Sequence, residues 1–142
     1  MHRHNLELVF KLMRLHSNCK DQPDACIITD GHGHVVGTGT ASITRPAKFK
    51  DCGCMGYCRS SHAVTRAVAA CGSHIKRART CYSAHAPCPD CINLLTSTPI
   101  EEIVFAIDEP NSPSEMLWLR HGKVWTHHPI PLGSNLKDID DD

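Results

Sequence analysis

Cys88 and Cys91 sit at C-x-x-C spacing in the run Pro87-Cys88-Pro89-Asp90-Cys91, where proline marks the first turn of a helix. Thiolates so spaced face one side of that turn, and the positive end of the helix stabilises their charge. Zinc is the metal that such sulfur donors suit. The third donor with the same local setting is His62, at the start of the preceding helical segment. In a strand-helix-strand arrangement two such helix starts can meet at one end of a sheet. One imidazole and two thiolates leave a fourth position for water, the arrangement in which zinc turns water into a nucleophile near neutral pH. A lone C-x-x-C also reads as a redox dithiol or half of a closed zinc knuckle, and a lone His62 as a cap or core residue. Together the three residues point to an open, catalytic site.

Cys52, Cys54 and Cys58 form a second group, within seven residues of a segment with little else to order it. A structural zinc would hold such a loop, with Cys19, Cys26, His32 or His34 completing the set. Free, buried thiols are the alternative, and Cys71 and Cys81 are read in that way. Arg45, Lys48, Lys50, Arg59 and Arg66 surround the same region. They are candidates for a phosphate contact, with arginine best suited to a bidentate one, although each singly also reads as a solvated surface charge. His127 and His128 are expected to face solvent at the end of a strand. Trp118 and Trp125 fit a helix and a strand packed on one another.

These residues need elements to position them. Apolar residues from Leu6 to Leu15 recur at helical spacing over 5–16, with Asn5 as the N-cap. Ala25–Asp30 and His34–Gly39 are strand-like, joined by Gly31-His32-Gly33 as a hairpin. Periodicity is absent over 41–60, and a long loop inside one domain is usually functional or metal-tied. Ser60-Ser61 would cap a buried helix over 62–73. A strand follows over 79–85, then a helix opened by Pro87 and continuing from Cys91 to Ser97. Ile100–Ile107 is a buried strand, Ser112–Arg120 a helix and Lys123–His127 a final strand. Strand and helix alternating after a hairpin imply a three-layer α/β/α sandwich around a mixed five-stranded sheet.

Composition fits that class. The chain has 142 residues and 15.7 kDa, with 41% hydrophobic and 21% charged residues. These values indicate one core, read as a single domain over 1–136 with an acidic tail over 137–142, and disfavour disordered, collagen-like and coiled-coil chains. No apolar run approaches the roughly 18–20 residues of a membrane span, and the opening lacks the apolar stretch of a signal peptide. Nine Cys and eleven His are the anomaly. An odd thiol count with no leader favours metal-held thiolates in the cytoplasm over a secreted disulfide scaffold. Net charge is zero, but residues 1–80 carry 12 Lys and Arg against 5 Asp and Glu, and residues 81–142 carry 3 against 10. The halves would attract each other, or leave one basic face.

His62-Ala63-Val64 followed by Pro87-Cys88-Pro89-Asp90-Cys91 resembles the zinc-dependent cytidine and deoxycytidylate deaminase superfamily, whose signature is H-x-E followed by P-C-x-x-C. The resemblance extends over nearly the whole chain and is greatest to deoxycytidylate deaminases of the phage and viral type. It implies a cytidine deaminase-like fold, His62, Cys88 and Cys91 as ligands of a catalytic Zn2+, and hydrolysis of dCMP to dUMP. It also implies Ala63, Ser83 and Ala84 around a small-molecule nucleotide, whose phosphate Arg45 and Arg66 are candidates to meet, and a homo-oligomer. Some phage-type relatives are similar in holding a structural zinc through a Cys just after the first helix, which favours Cys19 beside Cys52, Cys54 and Cys58.

The departures matter as much. The family's Glu, which relays protons between water, ring nitrogen and leaving ammonia, is replaced by Val64. Valine carries no proton, and one acid/base group is typically worth about 10²- to 10⁴-fold in rate. The chain is therefore expected to bind zinc and to turn over slowly or not at all, since Asp90 is the only acid near the motif in sequence. Val64 would reflect an engineered inactivation, a non-catalytic subunit, or a member that recruits a different acid. The non-catalytic subunit of eukaryotic tRNA adenosine deaminase is similar in carrying Val there, and such a chain would bind nucleic acid or an active partner deaminase. The Gly-Tyr-Asn-Gly run expected after the hairpin reads Gly39-Thr40-Ala41-Ser42, and an expected Asn is Arg66.

Overall fold

The computed structural model describes residues 1–17, 23–41, 62–110 and 112–130. Its elements are α1 (His2–His16), β1 (Ala25–Asp30), β2 (Val35–Thr40), α2 (Ala63–Cys71), a 3-10 turn (Gly72–Arg77), β3 (Ala78–His85), α3 (Pro89–Thr96), β4 (Glu102–Ile107), α4 (Ser114–Leu119) and β5 (Val124–His127). Successive side chains of a strand point to opposite faces, so the six consecutive buried residues of β1 require cover on both sides. Ala25 and Ile27 pack with Leu6, Val9 and Phe10 of α1. Cys26 and Ile28 pack instead with Ala63 and Ala67 of α2, Ile92 and Leu95 of α3, and Trp118 of α4. The expected three layers are therefore present.

The strand order is β2-β1-β3-β4-β5. β1 is antiparallel to β2 and β3, whereas β3, β4 and β5 run parallel. Cys26 pairs with Ser83, and Ser83 with Phe105. This register gathers the start of β1 and the C-terminal ends of β3 and β4 at one end of the sheet. α3 begins there, directly after β3, and so does α2, which lies across β2. His32 and His34 occupy the hairpin turn at the other end. There the Asp30 carboxylate accepts hydrogen bonds from the His32 and His34 backbone N–H groups at 2.8 and 2.9 Å. Those bonds hold its pKa below the usual carboxylate value.

Several boundaries differ from expectation for tertiary reasons. α1 starts at His2 with Met1 as N-cap, and Asn5 is buried within the helix rather than capping it. His2 Nδ1 meets the Tyr82 hydroxyl at 2.9 Å, so the added turn is fixed by the sheet beneath. α2 starts one residue late and ends at Cys71, because Gly72 takes φ 53°. α4 starts at Ser114, whose N–H donates to Ser112 Oγ at 3.2 Å. Ser60 and Ser61, the expected cap of α2, lie outside the described residues. Cys71 and Cys81 are buried as expected, and Cys26 Sγ lies 3.4 Å from Cys81 Sγ in the core. Trp118 and Trp125 join one apolar cluster, with the Trp118 indole N–H donating to the Val124 carbonyl at 2.8 Å. His127 is exposed and stacks on Phe105.

The approach of α2 to β2 depends on glycine. A Cβ on Gly39 would lie 2.5 Å from the Ala63 carbonyl oxygen, and one on Gly37 2.6 Å from that of Ala67. Neither backbone can yield without moving the helix. Gly39→Ala is expected to destabilise the protein by about 1–3 kcal/mol in denaturant unfolding. Because Ala63 follows His62, it should also weaken zinc retention in competition with a chelator.

Candidate metal centre

Two helix starts supply the donors. His62 is the N-cap residue of α2 and Cys88 that of α3, with Pro89 at the first helical position and Cys91 in the first turn. Both caps have the extended backbone usual at that position. His62 Nδ1 lies 3.3 Å from Cys88 Sγ and 3.3 Å from Cys91 Sγ. All three donor atoms lie within 4.8 Å of one another. Tetrahedral zinc, with bonds of about 2.0–2.1 Å to nitrogen and about 2.3 Å to sulfur, needs donors roughly 3.5–3.8 Å apart. The donor set fits that ion, and the three residues form a group able to hold a metal.

The local electrostatics suit a cation. The Cys88 thiol is held down to about 4, chiefly by its hydrogen bond with Cys91 and further by His62, against the opposing effect of burial. The same bond, together with burial, pushes Cys91 up. The sulfurs share one negative charge, and a bound metal would draw the second thiol into its thiolate form. Asp90, in the first turn of α3, is exposed.

The trio opens into a cavity of about 290 Å³, at the small end of the range for small-molecule sites. Ala63 and Val64 line it next to His62, and Val64 is buried to 2% exposure. Asp24, Ala41, His85, Ala86, Glu109 and Ser112 complete much of the wall. Asp90 is therefore not the only acid near the motif. Asp24 precedes β1 and Glu109 follows β4, so the sheet register brings both to the cavity although neither is close to it in sequence. The signal that would have found them is the rule that ligands of open α/β sheets bind outside the carboxyl ends of parallel strands.

Of the other expected site residues, Ser83, Ala84 and Arg66 do not line this cavity. Ser83 is fully buried, with its hydroxyl donating to the His85 carbonyl at 2.6 Å, and Ala84 packs in the apolar cluster with α1. Neither lines the cavity. Arg66 lines a separate cleft with Leu12, His16, Thr38, Thr40 and Ala70. Cys19, Arg45, Lys48, Lys50, Cys52, Cys54, Cys58 and Arg59 lie outside the described residues. Among the described residues no helix is long and apolar enough to cross a membrane.

With this geometry in place, comparison with known proteins is informative. A search of curated proteins gave no match. Among solved structures, the chain is similar to the dCMP deaminase of cyanophage S-TIM5 in complex with dCMP and dUMP. That match has a TM-score of 0.70 and 15% identity over 89% of this chain and 95% of the other. It is also similar to Acinetobacter baumannii RibD, with a TM-score of 0.68 and 15% identity over 99% of this chain but only 38% of that one. A third similar structure is NE0047 in complex with 2,6-diaminopurine, with a TM-score of 0.68 and 12% identity over 99% of this chain and 82% of the other. At these identities the likeness establishes the cytidine deaminase-like fold. The family model for the "Cytidine and deoxycytidylate deaminase zinc-binding region" matches residues 1–107, which contain both helix starts and all three donors, and the chain belongs to that family.

Proposed function

We propose that this chain is a zinc-dependent hydrolytic deaminase of a free cytosine nucleotide, foremost deoxycytidylate, with turnover held low by Val64 in the family's Glu position. The observation that carries this reading is the convergence of His62, Cys88 and Cys91 at the wall of a cavity sized for a small ligand. Zinc bound by these residues would lower the pKa of a water toward 7 and make it nucleophilic. The chain's own contribution is to fix that centre at two helix starts and to hold the ring beside Ala63 and Val64. Support for the substrate comes from the phage deaminase of similar fold, whose structure contains dCMP and dUMP. In this reading Arg45 belongs to phosphate recognition, Arg66 in its separate cleft does not, and the protein is a homo-oligomer. A second zinc on Cys19, Cys52, Cys54 and Cys58 is supported by the spacing of those thiols in the sequence.

A second reading is favoured by Val64 itself, which offers the cavity an apolar surface where the family uses an acid. On that reading the chain is a naturally non-catalytic subunit that binds nucleic acid or an active partner deaminase.

Val64→Glu separates the two. The first reading expects ammonia release from deoxycytidylate to rise by about 10²- to 10⁴-fold over the present chain. A zinc-loaded Val64→Glu protein that deaminates no free nucleotide, yet is retained by RNA or single-stranded DNA, contradicts it and supports the second. Elemental analysis of metal is expected to give close to two zinc ions per chain; one would remove the structural site alone.

A further inference from the structure

The metal centre occupies one end of the sheet. At the other end β1 turns into β2, and β3, β4 and β5 begin. Gly72 takes φ 53°, which stops α2 and redirects the chain into the 3-10 turn that leads to β3. Ile75 of that turn packs against the core, while His74, Lys76 and Arg77 beside it are exposed. Arg79, the second residue of β3, reaches back over the turn, its guanidinium donating to the Ala78 and Lys76 carbonyls at 2.7 and 3.4 Å. Its Cγ lies 3.7 Å from where a Cβ on Gly31 would stand, so the turn and the hairpin form one surface. The hairpin adds His32 and His34, both exposed, with ring centroids 6.2 Å apart and an interplanar angle of 42°. His74 meets the Arg77 guanidinium. Cations and planar rings are thus interleaved.

Acids do not neutralise this cluster. The Asp30 side chain is buried and accepts from the His32 and His34 N–H groups, with its second oxygen 3.5 Å from His34 Nδ1. Glu101 is exposed just before β4, and its charge acts on Lys123. Among the described residues no carboxylate lies within ion-pair distance of Lys76, Arg77 or Arg79. The rim of the metal end instead carries the exposed acids Asp90, Asp108 and Glu109. An anionic polymer is drawn to the hairpin end and repelled by that rim.

We propose that the hairpin end of the sheet is a docking surface for single-stranded nucleic acid, with Lys76, Arg77 and Arg79 on its phosphates and His32, His34 and His74 as stacking planes for its bases. Single strands are held by this combination of backbone cations and rings on which unpaired bases stack. A lipid surface has no bases for the rings to meet, and a duplex keeps its bases stacked inside. The inference rests on the nucleic-acid branch of the second reading above and gives that branch a surface. It does not depend on turnover at the metal centre, because β3, eight residues long, separates the two ends by about 25 Å.

The test uses the zinc-loaded full chain and fluorescent oligomers of thymidylate or uridylate of about 12 nucleotides, read by anisotropy as salt is varied. Three cations on a single strand predict a slope of log K against log salt of about −2. Lys76→Ala with Arg77→Ala should bring the slope to about −0.7 and weaken binding about 10-fold or more at about 0.1 M salt. His32→Ala should cost about 10-fold, and His32→Phe should retain affinity because a phenyl ring keeps the stacking plane. Lys11→Ala, midway along α1, should leave binding unchanged. The hairpin-end substitutions lie at exposed positions, so zinc content and melting temperature should match those of the present chain. Equal affinity and slope in the Lys76 and Arg77 variant overturn the proposal and leave the nucleic-acid branch standing on another surface. An unchanged affinity in His32→Ala overturns the stacking role. Absence of binding to both oligomers overturns the proposal and that branch together. Retention on vesicles containing phosphatidylserine, with no binding to the oligomers, assigns the face to lipid and overturns it too. The deaminase reading is decided separately, by Val64→Glu.

Discussion

A zinc ion reaches its ligands only at about 2.0–2.3 Å, and that short reach dictates where two helices must begin. The cap residue of α2, and the cap and a first-turn residue of α3, have to bring nitrogen and sulfur to within hydrogen-bonding range of each other, as the 3.3 Å separations show. The sheet makes this feasible. β3 enters from α2 through the 3-10 turn and leaves into α3, so a helix antiparallel to the strand starts where the next helix starts. Gly37 and Gly39 complete the arrangement by letting α2 lie against β2 at backbone contact. The metal donors are therefore a consequence of packing as much as of motif.

The same end of the sheet concentrates polar chemistry. Parallel β3 and β4 finish there and antiparallel β1 starts there, so Asp24, His85 and Glu109 arrive from three strands with no local sequence relation. Apolar walls from Ala41, Ala63, Val64 and Ala86 surround them. Burial among them raises the carboxyl of Asp24, and His85 Nδ1 has no hydrogen-bond partner among the described residues. In a protein core these would be costs with no return, and their grouping beside the metal donors is what gives them functional meaning.

This contrast explains what was legible in the sequence. Helix and strand order followed from hydrophobic period, and β1 read as a strand because its first four buried residues, Ala25 to Ile28, are apolar. His62, Cys88 and Cys91 were legible because each sits in a local helix-start signal whose spacing carries the geometry. Asn5 misled because the start of α1 is set by its contact with β3, through His2 and Tyr82, rather than by a cap. Ser83 and Ala84 lie close to Cys88 in sequence, yet their place on β3 turns them into the sheet and toward α1. Asp24 and Glu109 were silent for the converse reason: only the antiparallel-then-parallel register places them together.

The central claim is that His62, Cys88 and Cys91 bind zinc with a position left open for water. X-ray absorption at the zinc edge, on protein carrying alanine at Cys19, Cys52, Cys54 and Cys58 so that a single class of site remains, tests it directly. The account predicts two sulfur neighbours at about 2.3 Å with one imidazole nitrogen and one further light atom at about 2.0–2.1 Å. A shell of four sulfurs, or protein that retains no zinc, would contradict it.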